Sequence, residues 1–399
     1  MKCLRLFLLG VAPEVVLAAC GGSVPSTTAQ SSTSAQSVSL QQVGLPARRA
    51  CPEARPNEAQ CDVLIIKTAV QPDLAGWAPS DLQAAYEVPS SSKGSGQIVA
   101  IVDAYDNPNV ASDLAAYRSH FGLPAANFTK YNQNGQTSNY PNSCTGQDSW
   151  CIEIDLDVEM VSAICPNCTI HLIESNTNSL RDLDMAEKEA VKLGTHIVSN
   201  SWGCYSPGCR WRTHAFESPG VVYLAAAGDI HYGSYEPARL ANVVSVGGTV
   251  LEKIGSKYKE NVWAWTSGGC AKGVPKPSWQ HDPGCKNRTA NDVAAVAWDV
   301  AEYDTYDAVG GWFTVGGTSV ATPILASIYA LAGNASSQKN APEAFWTLTK
   351  QERKKYLHVI SEGSNGVCRK KYLCTAGTGE YSTYSGPTGW GTPNGIGAF

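Results

Sequence analysis

The sequence predicts an α/β fold: a mostly parallel sheet with helices on both faces. Two observations predict it. From about Gly96 onward, strand-like apolar runs alternate with helix-patterned stretches, the order that joins parallel strands through helical crossovers. The run Gln97-Ile-Val-Ala-Ile-Val-Asp103 is continuously apolar rather than alternating, as a strand buried on both faces requires. Size agrees: 399 residues, 43% hydrophobic and 16% charged, suit one large domain or two smaller ones.

Residues 1–20 read as an export signal, with Lys2 and Arg5 ahead of the apolar stretch Leu6 to Val11. Leu17-Ala-Ala-Cys20 resembles a bacterial lipobox, in which Cys20 would carry a lipid anchor. Residues 21–80 read as a polar, low-complexity linker followed by a short lead-in with one cysteine loop. The folded domain is expected over 81–399. Asn107-Pro108 opens a helix carrying Val110, Leu114 and Tyr117, and Gly122 ends it. A Gly/Asn/Ser-rich loop follows to about Ser149. A helix is expected from Trp150 to Ala163, a strand from Thr169 to Glu174 and a helix from Ser179 to Leu193. Strands at Ile197–Ser199, Val221–Ala226 and Val243–Val246 come next. Residues 251–300 read as loop-rich, and the end from Gly363 as Gly- and Ser-rich with short strands.

Charge and cysteines narrow the class. The net charge of -5 and the lack of a basic run speak against nucleic acid as a partner. No apolar run reaches membrane-spanning length. Of the 14 cysteines, twelve fall into local pairs: 51/61, 144/151, 165/168, 204/209, 270/285 and 368/374. Six small disulfide loops in an exported protein fit this better than a zinc site, since Cys165-Pro-Asn-Cys168 has no second ligand pair at zinc spacing.

The chemistry centres on Gly316-Gly-Thr-Ser-Val-Ala-Thr-Pro323. Two glycines free a tight turn, and a helix follows to Gly333. Thr318 or Ser319 is placed to cap it, and Pro323 denies the Ser319 carbonyl its helical partner. A serine at such a junction projects its Oγ toward free N–H groups that can receive an oxyanion. Alone, the stretch is equally an ordinary capped helix. A nucleophile needs a base. Asp103, at a strand end, could orient one, but none of the seven histidines lies in a recognisable setting. Carboxylates do better. Glu153 and Asp157 stand i and i+4 on one helix face, where two like charges do best by sharing a proton. The competing reading is a solvated acidic face, because Asp155 and Glu159 lie there too. Asp229 follows a small-residue strand at Gly228, where strand ends line sites in open parallel sheets.

Glu153-x-x-x-Asp157, Gly228-Asp229 and Gly-Thr-Ser319-Val-Ala-Thr-Pro, in this order, resemble the sedolisin family of serine-carboxyl peptidases. The resemblance covers roughly Ala78 to Phe399 and includes Ile101-Val-Asp-Ala-Tyr105 and Pro275-Lys-Pro-Ser-Trp279. It implies a subtilisin-like fold and acid-active endopeptide hydrolysis through an acyl-enzyme. Ser319 would be the nucleophile, Glu153 its base, Asp157 the support of Glu153, and Asp229 the oxyanion acid. Protein or peptide substrates, a monomer, and an exported or cell-surface location in a bacterium follow as expectations. Members usually carry a large prosegment, and residues 21–80 are too few to be one. Members also bind calcium near the C-terminus through two Asp side chains. Leu357-His-Val-Ile360 lacks the first, and Ser385 stands at the second, so no cofactor is expected. Trp298-Asp299 stands where an Asp-Pro pair is usual. The alternative function is a non-catalytic, surface-tethered peptide-binding relative.

Overall fold

A computed structural model of the protein describes residues 47–66, 76–144, 149–206, 209, 213–306 and 310–399. The expected signal, Cys20 and the polar stretch behind it lie outside these residues. The lead-in forms three short strands, Ala47–Arg49 (β1), Gln60–Cys61 (β2) and Leu64–Ile66 (β3). The helix Pro79–Ala85 (α1) starts on a proline, whose missing N–H is not needed in a first turn. Next come Ile98–Ala104 (β4), Val110–His120 (α2), Asn127–Asn132 (β5), Trp150–Ile164 (α3), Thr169–Ser175 (β6) and Leu180–Lys192 (α4). Then follow Ile197–Asn200 (β7), Trp202–Gly203 (β8), Val222–Ala226 (β9), Val243–Ile254 (β10) and Lys257–Val262 (β11). Gly269–Pro275 (β12), Asn287–Ala290 (β13), Val293–Val296 (β14), Val300–Asp304 (β15) and Gly311–Gly316 (β16) lead into Thr318–Ala332 (α5).

The expected α/β architecture is present. An eight-stranded sheet runs β11-β10-β9-β7-β4-β6-β5, with β14 also on β10. Every pairing in it is parallel except the β10–β11 hairpin. The apolar run at β4 sits inside the sheet, between β6 and β7. Helix α5 is buried from Thr318 to Leu331; removing one of its large apolar side chains, such as Leu325, would cost about 2–5 kcal/mol. All six cysteine pairs are bonded as grouped above.

Three stretches differ from expectation. β5 lies in the stretch read as loop, because an edge strand half exposed to water carries little apolar signal. Residues 251–300 hold strands rather than loops; β11, charged and partly exposed, pairs as the outer limb of a hairpin. The lead-in also pairs with the domain expected over 81–399: β3 with β16 and β2 with β8.

Helix α3 also overturns the solvated reading of its acidic residues. Glu153, Asp155, Asp157 and Glu159 are all fully buried. Asp155 and Glu159 face Asp113 of α2 and Glu302 and Asp304 of β15. Burial, then mutual repulsion, pushes the Asp155, Glu159 and Glu302 carboxyls well above their usual range. The fold therefore prefers their neutral forms. Their contribution to stability is full below the unfolded carboxyl pKa, about 4, and is lost as pH rises through the raised folded values. The melting temperature should fall from pH 4 toward pH 8. Glu302→Gln, neutral at every pH, should flatten that slope in a thermal scan; a steeper or unchanged slope would show that these carboxyls do not set it.

Candidate active site

The site forms where the parallel strands end. Asp103 is the penultimate residue of β4, Ser201 follows β7 and Asp229 stands just past β9, at the edge where open parallel sheets place their ligands. Helices α3 and α5 bring in the remaining groups.

Gly316-Gly317 makes the turn into α5. Gly317 is the N-cap, at φ +122°, a backbone setting that side chains resist. Neither Thr318 nor Ser319 caps the helix, contrary to expectation, because both hydroxyls are engaged across the site. The Ser319 Oγ donates to Glu153 Oε2 at 2.8 Å and lies 3.2 Å from the Ser201 carbonyl. Among the described residues no histidine takes part. The Ser319 carbonyl, which Pro323 leaves without a helical donor, has the Ser201 hydroxyl 3.4 Å away.

Asp157 lies one turn beyond Glu153 on α3, and its Oδ1 accepts from the Ser201 hydroxyl at 2.7 Å. Both carboxyls are raised well above their usual range, first by burial. For Glu153 the charges of Asp157 and Asp103 add to the rise, while the Ser319 hydrogen bond opposes it. Asp103 is itself pushed up to about 8 by burial. The sequence offered Asp103 as the partner of a histidine; here it neighbours the Glu153–Asp157 pair. Three buried carboxyls this close hold fewer than three charges, so protons are shared among them. A hydroxyl bonded to such a cluster can hand its proton to it.

Asp229 faces the turn from the other side. Its Oδ1 accepts from the Thr318 N–H and the Thr318 hydroxyl, both at 2.9 Å. That hydroxyl in turn accepts from the Gly228 N–H at 3.1 Å. Asp229 Oδ2 is buried and has no hydrogen-bond partner among the described residues. Burial raises this carboxyl to about 7, against the lowering effect of Arg49 and the Thr318 hydrogen bonds. At acid pH it is a neutral donor held beside the N-terminus of α5.

Sequence reasoning missed Arg49, Asp62, Ser201 and Tyr205. Arg49 donates to the Asp229 carbonyl at 3.2 Å. The Tyr205 hydroxyl donates to Asp62 Oδ1. Burial and then the Asp229 charge raise Asp62 well above its usual range. Tertiary pairing brings these residues in, and only the Cys51–Cys61 spacing hinted that the lead-in is structured.

The C-terminal stretch does not fit a calcium ion held by two carboxylates. Leu357–His358 pairs with Thr392–Pro393, and the Ser385 hydroxyl is bonded to Thr388 at 2.8 Å. Asp113, Asp155 and Asp304, by contrast, bring carboxylate oxygens within 4.8 Å of one another. Those oxygens suit a hard cation. Protons serve the same end in acid, since Asp155 and Asp304 are joined by a hydrogen bond that needs one of them protonated.

Residues 94–391 match the model described as the subtilase family. The chain is 29% identical over 363 residues to kumamolisin from Bacillus sp. (strain MN-32), covering 80% of this chain and 62% of that protein. It is 24% identical over 370 residues to sedolisin from Pseudomonas sp. (strain 101), covering 82% and 61%. The chain thus spans about three-fifths of the length of these relatives. Among solved structures, Pseudomonas sedolisin complexed with two molecules of pseudo-iodotyrostatin has a TM-score of 0.68 at 23% identity, over 81% of this chain and 96% of that one. That likeness establishes a subtilisin-like fold.

Gly317 offers a direct test of the turn. A Cβ there would stand 1.9 Å from the Asp62 carbonyl oxygen and 2.8 Å from Asp229 Oδ2, at a φ that alanine resists. Gly317→Ala should lower the unfolding free energy by roughly 1–3 kcal/mol and move Ser319 off Glu153. A denaturant titration checks the first effect; wild-type stability would contradict the turn described here.

Proposed function

The chain belongs to the subtilase family, and on that premise we propose that it is a serine-carboxyl endopeptidase active in acid. The observation that carries this reading is the 2.8 Å hydrogen bond from Ser319 to buried Glu153. Ser319 attacks the carbonyl carbon of a protein or peptide substrate. Its proton passes to Glu153, which Asp157 supports from the next turn. Asp229, protonated, donates Oδ2–H to the developing oxyanion, as an amide N–H would. The proton on Glu153 then goes to the leaving amine, and water releases the acyl group from Ser319. Nucleophile, base and oxyanion donor for this acyl transfer are all side chains, so the reading assigns no cofactor a role in it.

We also read the protein as exported. Six disulfides form and persist in an oxidising compartment. Among the described residues no helix is long and apolar enough to cross a membrane. A lipid on Cys20 remains an expectation from the sequence.

The two working carboxyls make opposite demands on pH. Glu153 must be ionised to accept a proton, and its pKa is raised. The rate should therefore rise only above the ordinary glutamate value of about 4.3. Asp229 must keep its proton, and loses it near pH 7. A bell between these limits is expected for kcat/KM on one peptide. Asp229→Asn, a donor that cannot ionise, should lose the alkaline limb even at a lower peak. Ser319→Ala should lose the rate by several orders of magnitude. An optimum above neutral, or an unchanged alkaline limb in Asp229→Asn, would overturn the assignment. A folded protein that cuts no peptide at any pH would favour the non-catalytic alternative.

A further inference from the structure

Asp155 and Glu159 stand two residues beyond Glu153 and Asp157, which places them on the other side of α3. The reaction read above does not use them. Asp113 of α2, Asp155 of α3 and Asp304 of β15 bring carboxylate oxygens within 4.8 Å of one another, and all three are buried. Glu302 stands two residues before Asp304 and so points to the same face of β15. Glu159 lies one turn beyond Asp155, and its Oε2 reaches β15, where it accepts from the Tyr303 N–H at 3.1 Å.

Glu302 is fully buried, yet neither of its carboxylate oxygens has a hydrogen-bond partner among the described residues, and neither has Glu159 Oε1. Buried oxygens in a native fold are nearly always engaged. Among the described residues no lysine, arginine or histidine forms an ion pair with Asp113, Asp155, Glu159 or Glu302. The bonds that are made hold the carboxylates in position. Thr305 donates its N–H to Asp113 at 3.1 Å and its hydroxyl at 2.7 Å, and Asn107 Nδ2 donates to Asp155 Oδ2 at 2.7 Å. Each of those oxygens keeps a further lone pair.

We propose that Asp113, Asp155, Glu159, Glu302 and Asp304 form a binding site for one calcium ion. All five donors are anionic oxygen groups, which suit a hard cation; zinc and copper prefer nitrogen and sulfur. Calcium accepts about six to eight oxygens in a flexible geometry, with carboxylates in one- or two-oxygen contact. Magnesium usually takes one or two carboxylates and keeps its waters, fewer side chains than converge here. The ion takes the place of the proton between Asp155 and Asp304. It ties α2, α3 and β15 together. Helix α3 carries Glu153 and Asp157, and β15 pairs with β16, the strand that enters the Gly317 turn. The ion therefore braces the elements that carry base and nucleophile without touching either. The inference does not depend on the peptidase reading.

The test uses the full-length chain, freed of metal by dialysis against a chelator and held at pH 8. Calcium chloride and magnesium chloride are titrated in by calorimetry, and the melting temperature is followed with each. Wild type should bind one calcium per chain and melt at a higher temperature as calcium is added. Magnesium should bind more weakly. Glu302→Gln keeps the shape of the side chain and removes its charge, and should weaken calcium binding at least about tenfold. Ser385→Ala, in the C-terminal stretch, should bind as wild type does. Hydrogen exchange of wild type with and without calcium locates the ion with no substitution at all. Protection should appear over Trp150–Ile164 and Val300–Asp304. Folded wild type that binds no calcium would overturn the proposal. So would tighter binding of magnesium than of calcium, unchanged affinity in Glu302→Gln, or protection confined to residues 357–393.

Discussion

A carboxyl taken out of water loses the solvation that favours its charge, and the site depends on that cost. Glu153, Asp157, Asp103, Asp229 and Asp62 are all buried around one hydroxyl. In water each would be ionised at neutral pH and would repel its neighbours. Buried together, they hold protons to higher pH, and that provides two opposite tools. A cluster with few charges can take one more proton from Ser319. A neutral carboxyl at Asp229 can donate to an oxyanion. The same cost governs the far face of α3, where Asp155 and Glu159 meet Glu302 and Asp304. Acid thus suits both the chemistry and the packing, for one physical reason.

The geometry that keeps these groups apart is local and simple. Gly317 turns the chain at a φ open to few other residues, and Thr318 is fastened to Asp229 by its N–H and hydroxyl. That leaves Ser319 on the α3 side of the turn, where Glu153 waits. Asp229 and Glu153 are therefore held by adjacent residues of one turn, Thr318 and Ser319. Residues 60–66 lie beside this turn, β2 paired with β8 and β3 with β16.

Much of this was legible in the sequence where the signal is local. The β4 run, the α3 and α4 limits and the turn before α5 all follow from periodicity and glycine placement. Ser319, Glu153, Asp157 and Asp229 could be named as candidates because each sits in a short motif, and the motifs appear in a recognisable order; the structure brings the four together. The burial of α3's acidic residues was not legible. Four carboxylates in seven residues look solvated until helices and strands close around them. Arg49, Asp62 and Tyr205 were invisible for a related reason: contacts across more than a hundred residues bring Arg49 to Asp229 and Tyr205 to Asp62. The strands between 251 and 300 were missed because two-stranded ladders and exposed hairpin limbs need no continuous apolar run.

The central claim is that Ser319, activated by Glu153, is the group that attacks a carbonyl. The most direct measurement is to treat the protein in acid with a peptide aldehyde or a fluorophosphonate and map the adduct by mass spectrometry. The account predicts one adduct, on the Ser319 oxygen, and its loss in Glu153→Gln. An adduct on another residue, or undiminished labelling of Ser319 in Glu153→Gln, would contradict it.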